Sequence, residues 1–125
     1  MKMMRWNIGH QAQLWIPGME LTGNGLGSEI EDVLEMDLPR VLVLDLRQVK
    51  AVDSGGLAWL VNLAERQRWS RSELMLLAPS AEVRGLLNEA RATRKFKMVT
   101  DLDEASNLLA RQAGSVRPIR IVFGN

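Results

Sequence analysis

A carboxylate, a hydroxyl and two glycines follow one another in the segment Asp53-Ser54-Gly55-Gly56, directly before a helical pattern at about residues 57–69. Asp53 or Ser54 can cap this helix, which leaves a small hydroxyl beside the positive end of the helix dipole. A phosphate added there would be stabilised by free backbone amides and would present about −1.5 to −2 charge to a docked partner. Taken alone, these residues are equally compatible with a phosphorylation switch at Ser54 and with a simple cap before a tight turn.

The segment Gly23-Asn24-Gly25-Leu26-Gly27 superficially resembles a dinucleotide-binding loop, in which glycines let a pyrophosphate approach a helix N-terminus. Asp45, at the end of the next predicted strand, would then contact the ribose. The spacing is G-x-G-x-G rather than G-x-G-x-x-G, and the chain is too short for both halves of such a domain. We therefore favour a connecting loop, with a small nucleotide-binding protein as a minority alternative.

Basic residues could contact phosphates, with aromatic residues nearby to stack on bases. They form two runs, Arg66, Arg68, Arg71 and Arg91, Arg94, Lys95, Lys97, close to Trp69 and Phe96. The chain has 16 Lys and Arg against 15 Asp and Glu, a net charge of only +1. We therefore favour solvated helix ends and predict no nucleic acid partner.

Few residues could support metal or acid–base chemistry. The chain has no cysteine, and its one histidine, His10, lies in a predicted turn without an acidic or hydroxyl neighbour in sequence. The acidic residues of the first predicted helix form the usual solvated stripe, at Glu29, Glu31, Asp32, Glu35 and Asp37. The sequence thus predicts no catalytic residue, no metal site and no cofactor.

The composition predicts one domain with a packed core. The chain has 125 residues, a mass of 14.0 kDa and 46% hydrophobic residues. Its longest apolar stretches, at 41–44 and 74–78, are well short of the roughly 18 residues that a membrane span needs. The first residues lack the apolar run of a signal peptide. We expect a cytoplasmic protein without direct membrane insertion.

Strand and helix patterns alternate along the first half of the chain. Apolar residues at 5–8 and 12–16 indicate an antiparallel hairpin, and the composition of residues 18–27 indicates a loop. A capping box at Ser28 predicts a helix that ends at Pro39. The continuous apolar run at 41–46 is typical of a central strand that is covered on both faces.

The second half continues this alternation. After the helix at 57–69 we predict a strand at 74–78, a helix capped by Ser80 and a short strand at 96–99. A last helix, capped by Asp101, ends at Gly114, and residues 117–123 alternate as an edge strand or a partner-docking segment would. Together the elements predict an α/β fold with a mixed central sheet and about four helices.

This order of elements around the Asp53-Ser54-Gly55-Gly56-Leu57 turn resembles the STAS domain of bacterial anti-sigma factor antagonists. The likeness includes the strand at 41–46, the turn that follows it, the strand at 74–77, the helix at 82–92 and the strand at Phe96, and it covers about residues 12–113. The resemblance implies a STAS fold for a single domain over 1–125, with a C-terminal extension at 115–125.

In that family, a turn of this type carries the regulatory phosphoserine directly after the aspartate, which is the position of Ser54. The resemblance therefore implies a non-enzymatic protein–protein interaction module that serves signal transduction and transcription regulation. Such a domain, when unphosphorylated, binds an anti-sigma factor serine kinase of the histidine-kinase-like ATPase fold and frees a sigma factor. Phosphorylation breaks that complex, and a phosphatase resets it.

Two features differ from the antagonist pattern. The segment Gly18-Met19-Glu20-Leu21 lacks the acidic residue expected near Leu21, and Gly55 replaces a second hydroxyl or an alanine. The Gly55-Gly56 pair also resembles the small STAS subunit of bacterial phospholipid-trafficking ABC transporters, which docks on the cytoplasmic transport ATPase. A transporter subunit is therefore the alternative function.

A helical wheel of residues 57–69 predicts the face on which a partner docks. It groups the apolar residues Leu57, Leu60, Val61 and Ala64 as the buried side. Trp59, Asn62, Arg66 and Trp69 gather on the opposite side, where Trp and Arg are the residue types that anchor interfaces. We predict that partners contact this face together with the Ser54 turn, and self-association into a homodimer is the other use of such a face.

Overall fold

The computed structural model describes residues 3–9, 11–27, 37–70 and 72–112. Its strands are β1 (Met4–Gly9), β2 (Ala12–Ile16), β3 (Glu20–Leu21), β4 (Val41–Asp45), β5 (Ala51–Val52), β6 (Glu73–Leu77) and β7 (Lys97–Val99). Its helices are α1 (Gly23–Leu26), α2 (Ser54–Trp69), α3 (Ala81–Glu89) and α4 (Leu102–Gln112), with a 3₁₀ turn at Thr93–Lys95 before β7.

Five strands form a mixed sheet in the order β1-β2-β4-β6-β7. The hairpin β1-β2 is antiparallel, whereas β2-β4, β4-β6 and β6-β7 pair in parallel. The predicted α/β fold, mixed sheet and central position of the 41–46 segment are therefore confirmed. A second, two-stranded parallel sheet pairs Glu20 with Ala51 and Leu21 with Val52.

Helices cover both faces of the larger sheet. Leu42 and Leu44 of β4 belong to a cluster that includes the buried residues of α2 and α3, and Val43 points into a second cluster with Ala105 of α4. This alternation along one strand explains why β4 is buried at every position.

The helix caps follow the sequence signals. The Ser80 hydroxyl accepts a hydrogen bond from the Val83 N–H at 3.2 Å, and Asp101 accepts one from the Glu104 N–H at 2.8 Å. Glu104 in turn accepts from the Thr100 N–H at 2.9 Å, so two carboxylates bind backbone amides at the start of the last helix.

Several predicted boundaries need correction. The second helix begins at Ser54 rather than near Leu57, and the segment 18–27 holds β3 and the single turn α1 rather than an unstructured loop. Asp37 and Leu38 lie outside any helix, so the first predicted helix does not reach Pro39. Most of that helix, at 28–36, and the C-terminal extension at 115–125 lie outside the described residues.

Candidate functional site

Asp53 caps α2 and ties it to α1. Its Oδ1 accepts a hydrogen bond from the Gly56 N–H at 2.9 Å, which is the N-cap bond, and it also accepts from the Gly23 N–H at 3.0 Å. The Leu57 N–H donates to the Asp53 carbonyl at 2.9 Å and completes the first turn. One carboxylate therefore joins the start of α2 to Gly23, which lies 30 residues before Asp53 in the sequence.

These bonds also change the acidity of Asp53. The backbone hydrogen bond from Gly56 lowers its pKa below the ordinary value of 3.8, and the bond from Gly23 contributes in the same direction. The carboxylate is thus ionised at neutral pH and favours the amide-rich helix start. Because the folded-state pKa is depressed, the stabilisation by Asp53 is complete above its unfolded pKa and is lost as the pH falls through the folded value.

We expect Asp53→Ala to lower the urea midpoint of unfolding at pH 7, because Gly56 and Gly23 lose their acceptor. The difference from wild type should shrink as the pH falls below the ordinary carboxyl pKa of 3.8. Urea titrations at pH 7, 5 and 3 measure this. Asp37→Ala, which removes an exposed carboxylate that lies outside any helix and accepts no hydrogen bond from the described residues, is the control. A difference that does not change with pH would contradict the cap role.

The second sheet brings the turn close to the 20–23 segment. The Asp53 N–H donates to the Leu21 carbonyl at 3.2 Å, directly after β3 and β5 pair. A Cβ at Gly56 would lie 1.7 Å from the Leu21 carbonyl oxygen, and one at Gly55 would lie 3.0 Å from the Gly23 Cα. The two glycines therefore permit a backbone-to-backbone approach, which seats the start of α2 against β3 and α1.

Ser54 is the first residue of α2 and is exposed. Since Asp53 makes the cap bond, the Ser54 side chain is not the cap, and none of the described residues forms a hydrogen bond with its hydroxyl. The exposed Ala58 and Asn62 follow at intervals of four residues on the same side of α2. A narrow stripe of small and polar side chains thus extends from Ser54 along the helix.

The predicted orientation of α2 is wrong for Trp59. This side chain is only 2% exposed and belongs to the core cluster with α3 and the sheet. The buried stripe comprises Gly56, Trp59, Leu60, Leu63, Ala64 and Gln67, and it is rotated by about 80° from the predicted one at 100° per residue. Leu63, which the predicted stripe omits, is the sequence signal that would have corrected it.

The other residues of the predicted partner face separate along the helix. Asn62 is exposed and Arg66 is half-buried, while Trp69 is 85% exposed. With a rise of 1.5 Å per residue, Trp69 lies about 22 Å from Ser54 along the helix axis, and Asn62 lies about 12 Å from it. Asn62 therefore lies about two helical turns from Ser54, whereas Trp69 lies at the far end of α2.

The glycine-rich segment has little capacity for a phosphate. The Gly23 N–H is bonded to the Asp53 carboxylate, the Gly25 N–H to Thr22 Oγ1 at 2.9 Å, and the Gly27 N–H to the Gly23 carbonyl at 3.2 Å. Asp45, the residue considered for a ribose, forms a two-pronged ion pair with Arg47 at 2.8 and 3.0 Å, and this bonding raises the pKa of Arg47. These contacts oppose the nucleotide-binding alternative.

The remaining residues considered as candidate sites from the sequence do not form a metal site within the described residues. His10 and Arg71 lie outside the described residues. Among the described side chains, no group of three or more His, Asp or Glu is arranged to hold a metal ion. Within the same part of the chain, no helix combines the length and the apolar character that crossing a bilayer requires.

Two of the solved structures that share this fold are described as anti-sigma factor antagonists. The chain is 21% identical to a candidate anti-sigma factor antagonist from Thermotoga maritima, with a TM-score of 0.77 over 87% of this chain and 95% of the other. It is 12% identical to the anti-sigma factor antagonist SpoIIAA in its unphosphorylated form, with a TM-score of 0.66 over 88% and 98% of the two chains. At these identities the likeness is one of fold.

A third similar structure is that of a sulfate transporter family protein from Wolinella succinogenes. It is 17% identical, with a TM-score of 0.75 over 88% of this chain and 93% of the other. No curated protein sequence matches the chain. A family model described as STAS domain matches residues 20–105, which include β3, the Asp53–Gly56 turn and every later strand. The chain therefore belongs to the STAS domain family.

Proposed function

We propose that the protein is a non-enzymatic anti-sigma factor antagonist, whose binding to an anti-sigma factor serine kinase in the cytoplasm is switched by phosphorylation of Ser54. The observation that carries this proposal is the division of roles in the turn: Asp53 caps α2, and the Ser54 hydroxyl remains exposed without a hydrogen bond from the described residues. A hydroxyl that the fold does not use can be modified at no cost to the cap.

Phosphorylation would change the charge of this surface strongly. The ionised Asp53 already contributes one negative charge, and a phosphate on the next residue adds about −1.5 to −2 more. The helix dipole favours the phosphate within the domain, whereas a partner docked over Ser54, Ala58 and Asn62 meets the full added charge. The modification therefore acts on binding rather than on folding.

The test compares partner capture from the protein's own host by wild type, Ser54→Ala and Ser54→Asp, with mass spectrometry of the phosphorylation sites. We expect phosphate on Ser54, retention of the kinase by Ser54→Ala, and an affinity at least tenfold lower for Ser54→Asp. Ala81→Asp is the matched control, because it places the same charge at the first position of another capped helix, α3.

Two outcomes would contradict the switch: equal capture by Ser54→Asp and wild type, or loss of capture to the same extent in Ala81→Asp. The identity of the captured protein decides the branch of the family. The close seating of Gly55 against Gly23 favours glycine at a position where the antagonists carry a hydroxyl or alanine, so a transport ATPase is the second candidate partner. Capture of that ATPase would replace the kinase in the proposal.

A further inference from the structure

A basic cleft lies at the end of the domain opposite the Ser54 turn. It has a volume of about 740 Å³ and lies between the last turns of α2, the start of β6 and the segment that joins α3 to β7. Five cationic and two acidic side chains line it, namely Arg68, Arg91, Arg94, Lys95, Lys97, Glu65 and Glu73. The cleft therefore has an excess of three positive charges in a chain whose net charge is +1, so the remainder of the chain is net negative.

The two carboxylates of the cleft neutralise only two of its cations. Lys95 forms an ion pair with Glu65, and Lys97 lies 3.7 Å from Glu73. None of the described residues forms an ion pair or a side-chain hydrogen bond with Arg68, Arg91 or Arg94. Three guanidinium groups, each with five N–H donors, therefore line the cleft without a close ion pair to the described residues, and of the three Arg68 has a longer-range electrostatic interaction with Glu65.

Buried hydrogen-bond acceptors accompany these cations. Gln67 lines the cleft and is only 1% exposed, and its Nε2 donates to the Glu73 carbonyl at 3.2 Å. None of the described residues donates a hydrogen bond to Gln67 Oε1 or to Glu73 Oε2, both of which are buried. The wall of the cleft therefore contains buried polar groups as well as surface cations.

The backbone at Arg91 also favours a role for its side chain. Arg91 follows α3 with a φ of 55°, the left-handed conformation that usually carries glycine at this position. The Arg91 N–H donates to the Asn88 carbonyl and the Ala92 N–H to the Leu87 carbonyl, at 3.0 and 2.8 Å, which is a Schellman cap. A cation thus occupies a position where glycine would be less strained.

We propose that this cleft binds an acidic peptide segment of a partner protein. Carboxylate side chains of the peptide pair with the guanidinium groups of Arg68, Arg91 and Arg94. The aromatic ring in the cleft, Phe96, is only 8% exposed and offers no platform on which nucleic acid bases could stack. Gln67 lies about 20 Å from Ser54 along α2, so this surface is separate from the proposed switch.

The test measures fluorescence anisotropy of labelled Gly-Asp-Glu-Asp-Glu-Gly, with Gly-Asn-Gln-Asn-Gln-Gly as the neutral peptide. We expect salt-sensitive binding of the acidic peptide and an affinity at least tenfold lower in the double variant Arg91→Gly, Arg94→Gln. Glycine suits the backbone at position 91, so this variant should fold as well as wild type by circular dichroism.

The matched control is Lys50→Gln with Arg84→Gln, which removes the same two charges from exposed positions outside the cleft and should change the affinity by less than about twofold. Ser54→Asp should bind the peptide as wild type does, which separates this test from that of the switch. Equal binding of the neutral peptide, or equal loss in the control, would overturn the proposal. Tighter binding of an oligothymidylate that the cleft variant abolishes would assign the cleft to nucleic acid instead.

Discussion

Gly56→Ala is expected to destabilise the protein by about 3 kcal/mol or more, although alanine is the better helix former. The added Cβ would lie 1.7 Å from the Leu21 carbonyl oxygen and 2.4 Å from its carbon, and both are backbone atoms that cannot rotate away. The start of α2 must then move off β3, which breaks the hydrogen bond from Asp53 to Leu21. Urea unfolding followed by circular dichroism measures the loss.

Gly85→Ala is the matched control for this substitution. Gly85 lies within α3 and is exposed, and a Cβ there meets no atom within 4 Å. The same chemical change should therefore stabilise the protein by up to about 1 kcal/mol through helix propensity alone. The two variants should differ in sign, and a Gly56→Ala protein as stable as wild type would show that α2 does not approach β3 so closely.

The close approach at Gly56 also explains how a small domain can hold a fixed hydroxyl at its surface. Gly56 sets the distance between α2 and β3, and Asp53 sets the direction of the helix start through its bonds to Gly23 and Gly56. Ser54 lies between Asp53 and Gly56, and its side chain takes part neither in the carboxylate hydrogen bonds nor in the close contact with β3. The backbone at Ser54 is thus held in place while its hydroxyl remains exposed, as the proposed switch requires.

The fold could be predicted largely from local patterns in the sequence. The apolar run at 41–46 predicts a strand covered on both faces, and it is the central strand β4 between β2 and β6. The Ser80 and Asp101 signals predict the starts of α3 and α4, because an N-cap is determined by residues within one turn. These elements could be predicted because each is determined by interactions within a few residues or by hydrophobic periodicity.

The site was less predictable because its geometry depends on long-range backbone contacts. The two-residue strands β3 and β5 carry no periodic pattern, yet their pairing seats the turn. Leu63 gives the rotation of α2 a local signal, but the close approach of Gly56 to Leu21 that seats the helix involves residues that no local window of sequence contains. The residue types of the turn can thus be recognised from the sequence, whereas the predicted partner face places Trp59 on the wrong side of α2.

Trp59→Ala is expected to cost about 3–5 kcal/mol, because it removes a large side chain that is 2% exposed from the core between α2 and the sheet. A loss of this size is a large part of the stability of a typical domain, so the variant should unfold at a much lower urea concentration. Trp69→Ala is the control: that side chain is 85% exposed, and its removal should change the unfolding free energy by less than about 0.5 kcal/mol. Equilibrium urea titrations of both variants, followed by circular dichroism, measure this contrast. Similar stability of the two variants would place Trp59 at the surface and return it to the partner face. The expected contrast assigns Trp59 to the core instead. The exposed residues of α2 to test for partner binding are then Ser54, Ala58 and Asn62.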